Sequence, residues 1–124
     1  MWQTVFSMTS LFELHDINVK TKKGRRFVID IAERTKGTFD SSLTVTDNIT
    51  SGSVSVCSGV LASGPSATDC FEAALQHVAR YLEAVDADDQ IASIHNPCNC
   101  PFVPRADQER IANSLGIAAP ISVN

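Results

Sequence analysis

The residues best suited to chemistry sit together near the C-terminal end: His95, Cys98 and Cys100, in the run His95-Asn96-Pro97-Cys98-Asn99-Cys100-Pro101-Phe102-Val103-Pro104. Three prolines in residues 97–104 exclude helix and regular sheet and brace the loop. An imidazole and two thiols on such a loop are a candidate zinc site, with Cys57 or Cys70 as a fourth ligand. The spacing C-x-C departs from the paired C-x2-C knuckles of structural zinc sites, so a metal-free loop is the competing expectation. His95 could also act as base to a Cys98 or Cys100 nucleophile, although no carboxylate is placed in sequence to orient the imidazole.

Charge supplies the second set of candidates. Lys20, Lys22, Lys23, Arg25 and Arg26 put five cations into seven residues, a pattern expected at a solvated hairpin tip. Such a tip could contact phosphates or an acidic protein. Asp86, Asp88 and Asp89 form an acidic run further on. The net charge of −4 is unevenly laid out: seven of the ten basic side chains lie within residues 1–36, and ten of the fourteen acidic ones lie after them. An acidic body attracts cationic surfaces and repels a phosphate backbone except at its basic end.

These groups must be positioned by a small set of elements. Ser66 to Val85 reads as the dominant helix: Ser66 is a capping residue, and Phe71, Leu75, Val78, Leu82 and Val85 share one face with Ala74 beside it. Cys70, His77 and Tyr81 edge that stripe. Asp69 stands where a capping box would have Glu or Gln. The three carboxylates after Val85 oppose the helix dipole and end the helix poorly. Gly64 and Ser66 could form an anion site at the helix start, but no phosphate-binding glycine motif is present and Asp69 opposes an anion.

Ahead of the helix, residues 11–19, 27–32, 43–46 (starting as early as Thr38) and 53–61 read as strands. A bulge is expected between Leu14 and Ile17, and Val54, Val56 and Val60 are expected on one face. Residues 91–94 could add a short fifth strand. Arg105 to Leu115 reads as a short helix with Gly116 at its C′ position, and the tail carries no strong signal. The expected fold is α+β in one domain of residues 1–124: a meander of about four antiparallel strands over 11–61, packed on the 66–85 helix, with the proline-rich loop and short helix over 95–116.

With 44% hydrophobic and 19% charged residues the chain has globular values. No apolar run approaches membrane-spanning length and the first residues do not read as a signal peptide, so a cytoplasmic protein with free thiols is expected.

Strands followed by a helix invite comparison with the double-stranded-RNA-binding domain, but that family carries lysines where Ser66-Ala67-Thr68-Asp69 stand here. In layout the chain resembles small phage-encoded inhibitors such as anti-CRISPR proteins, which cover basic nucleic-acid-binding surfaces. With no catalytic constellation beyond the Cys/His cluster, the charge split gives the expectation of a non-enzymatic module binding a basic protein, with Asp86, Asp88 and Asp89 in one contact and the basic hairpin in a second. The alternatives are a nucleic-acid-binding module using the hairpin and a small zinc protein using His95, Cys98 and Cys100. Homo-oligomers are compatible with either.

Overall fold

A computed structural model describes residues 13–47, 54–96, 102–118 and 120–123. It is an α+β fold: β1 (Glu13–Thr21), β2 (Arg26–Thr35), β3 (Thr38–Asp47), β4 (Val54–Gly64), α1 (Ala67–Val85), β5 (Ile91–Asn96), α2 (Arg105–Ser114) and β6 (Ile121–Val123). The six strands form one sheet in the order β4-β3-β2-β1-β5-β6. The expected four-strand meander is present as β1 to β4, and the sheet extends beyond it. β5 pairs antiparallel with the free side of β1, and β6 adds in parallel to β5. The tail strand is only three residues long and is held by pairing rather than by its own pattern, including Ile94 N–H donating to Pro120 C=O at 3.1 Å.

Alternation sends Ile17 and Val19, Phe27, Ile29 and Ile31, Leu43, Ile94 and Ile121 to one face, where they meet Phe71, Ala74, Leu75, Val78 and Leu82 of α1. Burying each of the large side chains stabilises the fold by roughly 1.5–3 kcal/mol. Ser66 caps α1, its Oγ accepting from Asp69 N–H at 3.1 Å. Val85, assigned by periodicity to the buried stripe, is 39% exposed as the last residue of α1. α2 adds Ile111 and Ala112 to the same core. It ends as the sequence predicts, with Gly116 at φ 74° and Ile117 N–H reaching back to Ala112 C=O at 2.8 Å.

Two register expectations are corrected. β1 runs against β2 without a break from Glu13 to Lys20, so the bulge expected between Leu14 and Ile17 is absent; the irregularity falls at Lys20/Thr21, against β5. Leu14 is instead left half exposed, on the face away from the helices. In β4, Val56 pairs with Val45 on the helix side, but a bulge follows and Val60 pairs with Ser42 on the other side. An extra residue reverses the side chains that follow it, until the second shift at Ser41/Ser42 returns Ala62 to the helix side.

Candidate functional site

The hairpin between β1 and β2 and the connection after α1 close on each other. Arg25, expected in solvent, is 1% exposed. Its Nε donates to Asp47 Oδ2 at 3.0 Å, and its Nη1 donates to Asp86 Oδ2 at 2.9 Å and Asp89 Oδ2 at 2.8 Å. Tyr81 OH donates to the same Asp47 oxygen at 2.7 Å. Asp89 is also buried, accepting from Thr21 Oγ1 at 2.7 Å and from the Lys23 and Gln90 amides at 3.0 and 2.9 Å. Lys23 Nζ contacts both oxygens of Asp86, at 3.0 and 2.8 Å.

Electrostatics follow from this geometry. Burial alone would lower the Arg25 value, but three carboxylate partners outweigh it and hold the guanidinium more firmly protonated than usual. Lys23 and Arg25 hold Asp86 down at about 2 through their hydrogen bonds. Asp89 is pulled below the ordinary carboxylate range by its donors, despite burial acting the other way. The acidic run that ends α1 against its dipole is therefore compensated by cations from a segment some sixty residues away in sequence.

The hairpin and the acidic run thus form one joint network in place of two separate contact surfaces. Arg25 and Asp89 are buried in it and Asp86 is half-buried, whereas Lys20, Lys22, Lys23, Arg26 and Asp88 remain exposed. Lys22 is tied to Gln90, Nζ to Oε1 at 2.9 Å. Asp47 and Tyr81 belong to the network and carry no signal in the sequence, because each stands on an element whose pattern marks it only as a strand end or a stripe edge.

The face of the sheet opposite the helices is polar and has a readable grid. One row runs Ser93, Lys20, Arg26, Thr46; the next His95, Asn18, Val28, Thr44, Cys57; the third Asp16, Asp30, Ser42, Val60. Asp16 and Asp30 stand directly opposite across the ladder. Burial, then the hydrogen bond and charge of Asp16, push the Asp30 carboxyl up to about 7. Such a pair shares a proton in the folded chain, whereas the unfolded carboxyl releases it near 3.8. Stability is therefore expected to fall as pH rises from about 4 to about 7, and to be free of this cost below that window. Replacing Asp30→Asn should remove the slope and raise stability at about pH 8 by about 1 kcal/mol, after allowing for solvent screening at a partly exposed site. Urea titrations at several pH values check it, and an unchanged slope would reject the shared proton.

His95 lies on this face, half-buried, with Nδ1 2.8 Å from Ser122 Oγ. Cys98 and Cys100 lie outside the described residues. Neither thiol proposed as a fourth ligand is near His95. Cys57 is four strands away in the same row, roughly 19 Å at ordinary strand spacing. Cys70 is buried on the helix side, where burial, then Asp40 and Asp69, raise its thiol above the usual value and oppose reactivity. Among the described residues no three His, Cys, Asp or Glu side chains converge to hold a metal ion.

A groove of about 510 Å³ beside the network is lined by Leu82, Glu83, Asp89, Gln90, Ile91 and Ile117, among others, with the Asp89 carboxylate already committed to its internal donors. A second, mostly apolar groove of about 430 Å³ lies between α1 and the β4 edge, bordered by Val45, Val56, Leu61, His77 and Tyr81. No described helix is long and apolar enough to cross a membrane. No protein-family model, no curated protein and no solved structure matches the chain.

Proposed function

We propose that this chain is a non-enzymatic binding module that engages a basic protein surface through the outer face of α1. The observation that carries the reading is the charge left over once the Arg25 network is closed. Asp69, Glu72, Gln76, Arg80 and Glu83 fall in one arc of α1, away from the buried stripe, with Asp88 exposed just beyond the helix end. Three carboxylates there meet a single guanidinium. On α2, by contrast, Arg105 and Arg110 pair with Glu109 and Asp107 at 3.5 Å, leaving little net field. The hairpin is a weaker candidate for phosphate contact, because Lys23 and Arg25 are already matched by carboxylates. A nucleic-acid-handling protein supplies a surface of the required sign, which an acidic module would cover in competition with its nucleic acid.

The immobilised chain, offered a nuclease-treated host extract, should retain cationic protein that salt and added DNA both release. Combining Asp69→Lys, Glu72→Lys and Glu83→Lys should slow association at least tenfold at low salt. Lys20→Ala with Lys22→Ala and Arg26→Ala should leave retention intact. Loss of binding in the hairpin variant alone, or recovery of nucleic acid without protein, would reverse the assignment.

A further inference from the structure

We infer that β4 is a self-association edge, on which a second copy of this chain docks antiparallel to join two six-stranded sheets into one. β4 is the outermost strand of its sheet, with no neighbour on its outer side among the described residues. Its eleven residues, Val-Ser-Val-Cys-Ser-Gly-Val-Leu-Ala-Ser-Gly, contain neither a charge nor a proline. Edge strands are ordinarily blunted by lysine, proline or shortness. The opposite edge follows that rule, since β6 has three residues.

Two further observations point to the occupant. Val56 is 55% and Val60 61% exposed, one on each face of this strand, so whatever covers the edge must be apolar on both sides. A partner selected by the acidic face of α1 would find no charge here to engage. A second copy of β4 matches the edge in length and in its lack of charge, so neither strand brings a charged side chain of its own to the contact. A two-fold axis perpendicular to the sheet keeps both sets of helices on the same side. It also brings the two grooves of about 430 Å³ beneath α1 next to each other across the joint.

The bulges of β4 limit how much of the strand pairs regularly. Register with β3 shifts between Ser42 and Thr44 and again between Ser41 and Ser42, and Ser58 Oγ takes the Leu43 amide at 2.9 Å. The shared contact is accordingly short compared with the ~1,200–2,000 Å² of a stable interface, which makes the dimer weak and concentration-dependent.

Sedimentation of the full chain from low micromolar to several hundred micromolar should show a monomer passing into a dimer. Val56→Lys and Val60→Lys, each at a side chain already more than half exposed, should keep the folded circular dichroism spectrum and weaken dimerisation at least tenfold. Leu14→Lys, at an exposed apolar residue on an interior strand, should leave it unchanged. Amide exchange in residues 54–64 should slow as concentration rises, with β6 unaffected. A monomer at every concentration overturns the inference, as does a dimer that both lysine variants form as readily as the native chain. A dimer equally weakened by Leu14→Lys, with exchange in β4 unmoved by concentration, places the contact elsewhere and overturns it too.

Discussion

Replacing Arg25→Met should cost about 3–5 kcal/mol, the scale observed when one partner of a buried ion pair is removed and the others are left uncompensated. The methionine keeps the aliphatic bulk but leaves Asp47, Asp86 and Asp89 without the guanidinium that now lies between 2.8 and 3.0 Å from each. For a domain with roughly 5–15 kcal/mol of total stability this is a large fraction, equivalent to a drop on the order of 10–20 °C in melting temperature. Arg25→Lys should fall between the two, because an ammonium cannot serve the three carboxylates from the geometry of a planar fork. The pH dependence identifies the cause. Asp86 at about 2 and the depressed Asp89 stabilise the folded chain above the unfolded value of 3.8, and that contribution is lost as pH falls through the folded values. Thermal melts between about pH 5 and pH 2 should therefore converge for the variant and the native chain. If the difference stays constant into acid, packing and not charge is the source of the loss.

The second large effect belongs to Gln108. Asn96 at the end of β5 and Gln108 on α2 form a reciprocal buried amide pair, Asn96 Nδ2 donating to Gln108 Oε1 at 3.0 Å and Gln108 Nε2 to Asn96 Oδ1 at 2.9 Å. Gln108 Nε2 also donates to Val103 C=O at 2.9 Å. Gln108→Leu takes the donor from Asn96 Oδ1 and the Val103 carbonyl inside the protein, at about 1–3 kcal/mol for each unsatisfied group, while Asn96 Nδ2 keeps its bond to the Ser122 carbonyl at 3.2 Å. A total loss of about 2–4 kcal/mol is expected in urea unfolding. The double variant Asn96→Leu with Gln108→Leu removes both amides, so it should recover part of that loss, and the cycle measures the coupling. Additive effects would show that the two amides do not depend on each other. Because this pair fixes α2 to the strand carrying His95, the single variant should also destabilise the described residues on both sides of the 97–101 stretch.

How much of this was legible beforehand depends on the range of the interaction. The α1 helix is written locally: the Ser66 cap, the apolar stripe from Phe71 to Leu82 and the Gly64-Pro65 approach all lie within some twenty residues, and each favours the same conformation. The β1–β2 hairpin is nearly as local. Once its turn is placed at Lys22-Lys23-Gly24 and centred on Lys23, the antiparallel register sets Asp16 opposite Asp30, so this pair could have been read from the sequence by counting outward from the turn. The charge layout gave the acidic and basic segments correctly as segments. It could not show that they face each other, since composition counts charges without placing them.

Tertiary structure decided the rest for the same reason. Arg25 is indistinguishable in sequence from the cations around it, and is buried only because β3 delivers Asp47 and the end of α1 delivers Asp86 and Asp89 to one point. Strand β6 has too few residues to show a pattern, and exists through pairing with β5. Val60 changes face through a bulge set by how β4 meets β3, which no alternation rule within β4 can reveal. Sequence fixes those features whose stabilising contacts lie within a few turns of chain; a side chain's fate is undecided where the partner that stabilises it arrives from a distant segment.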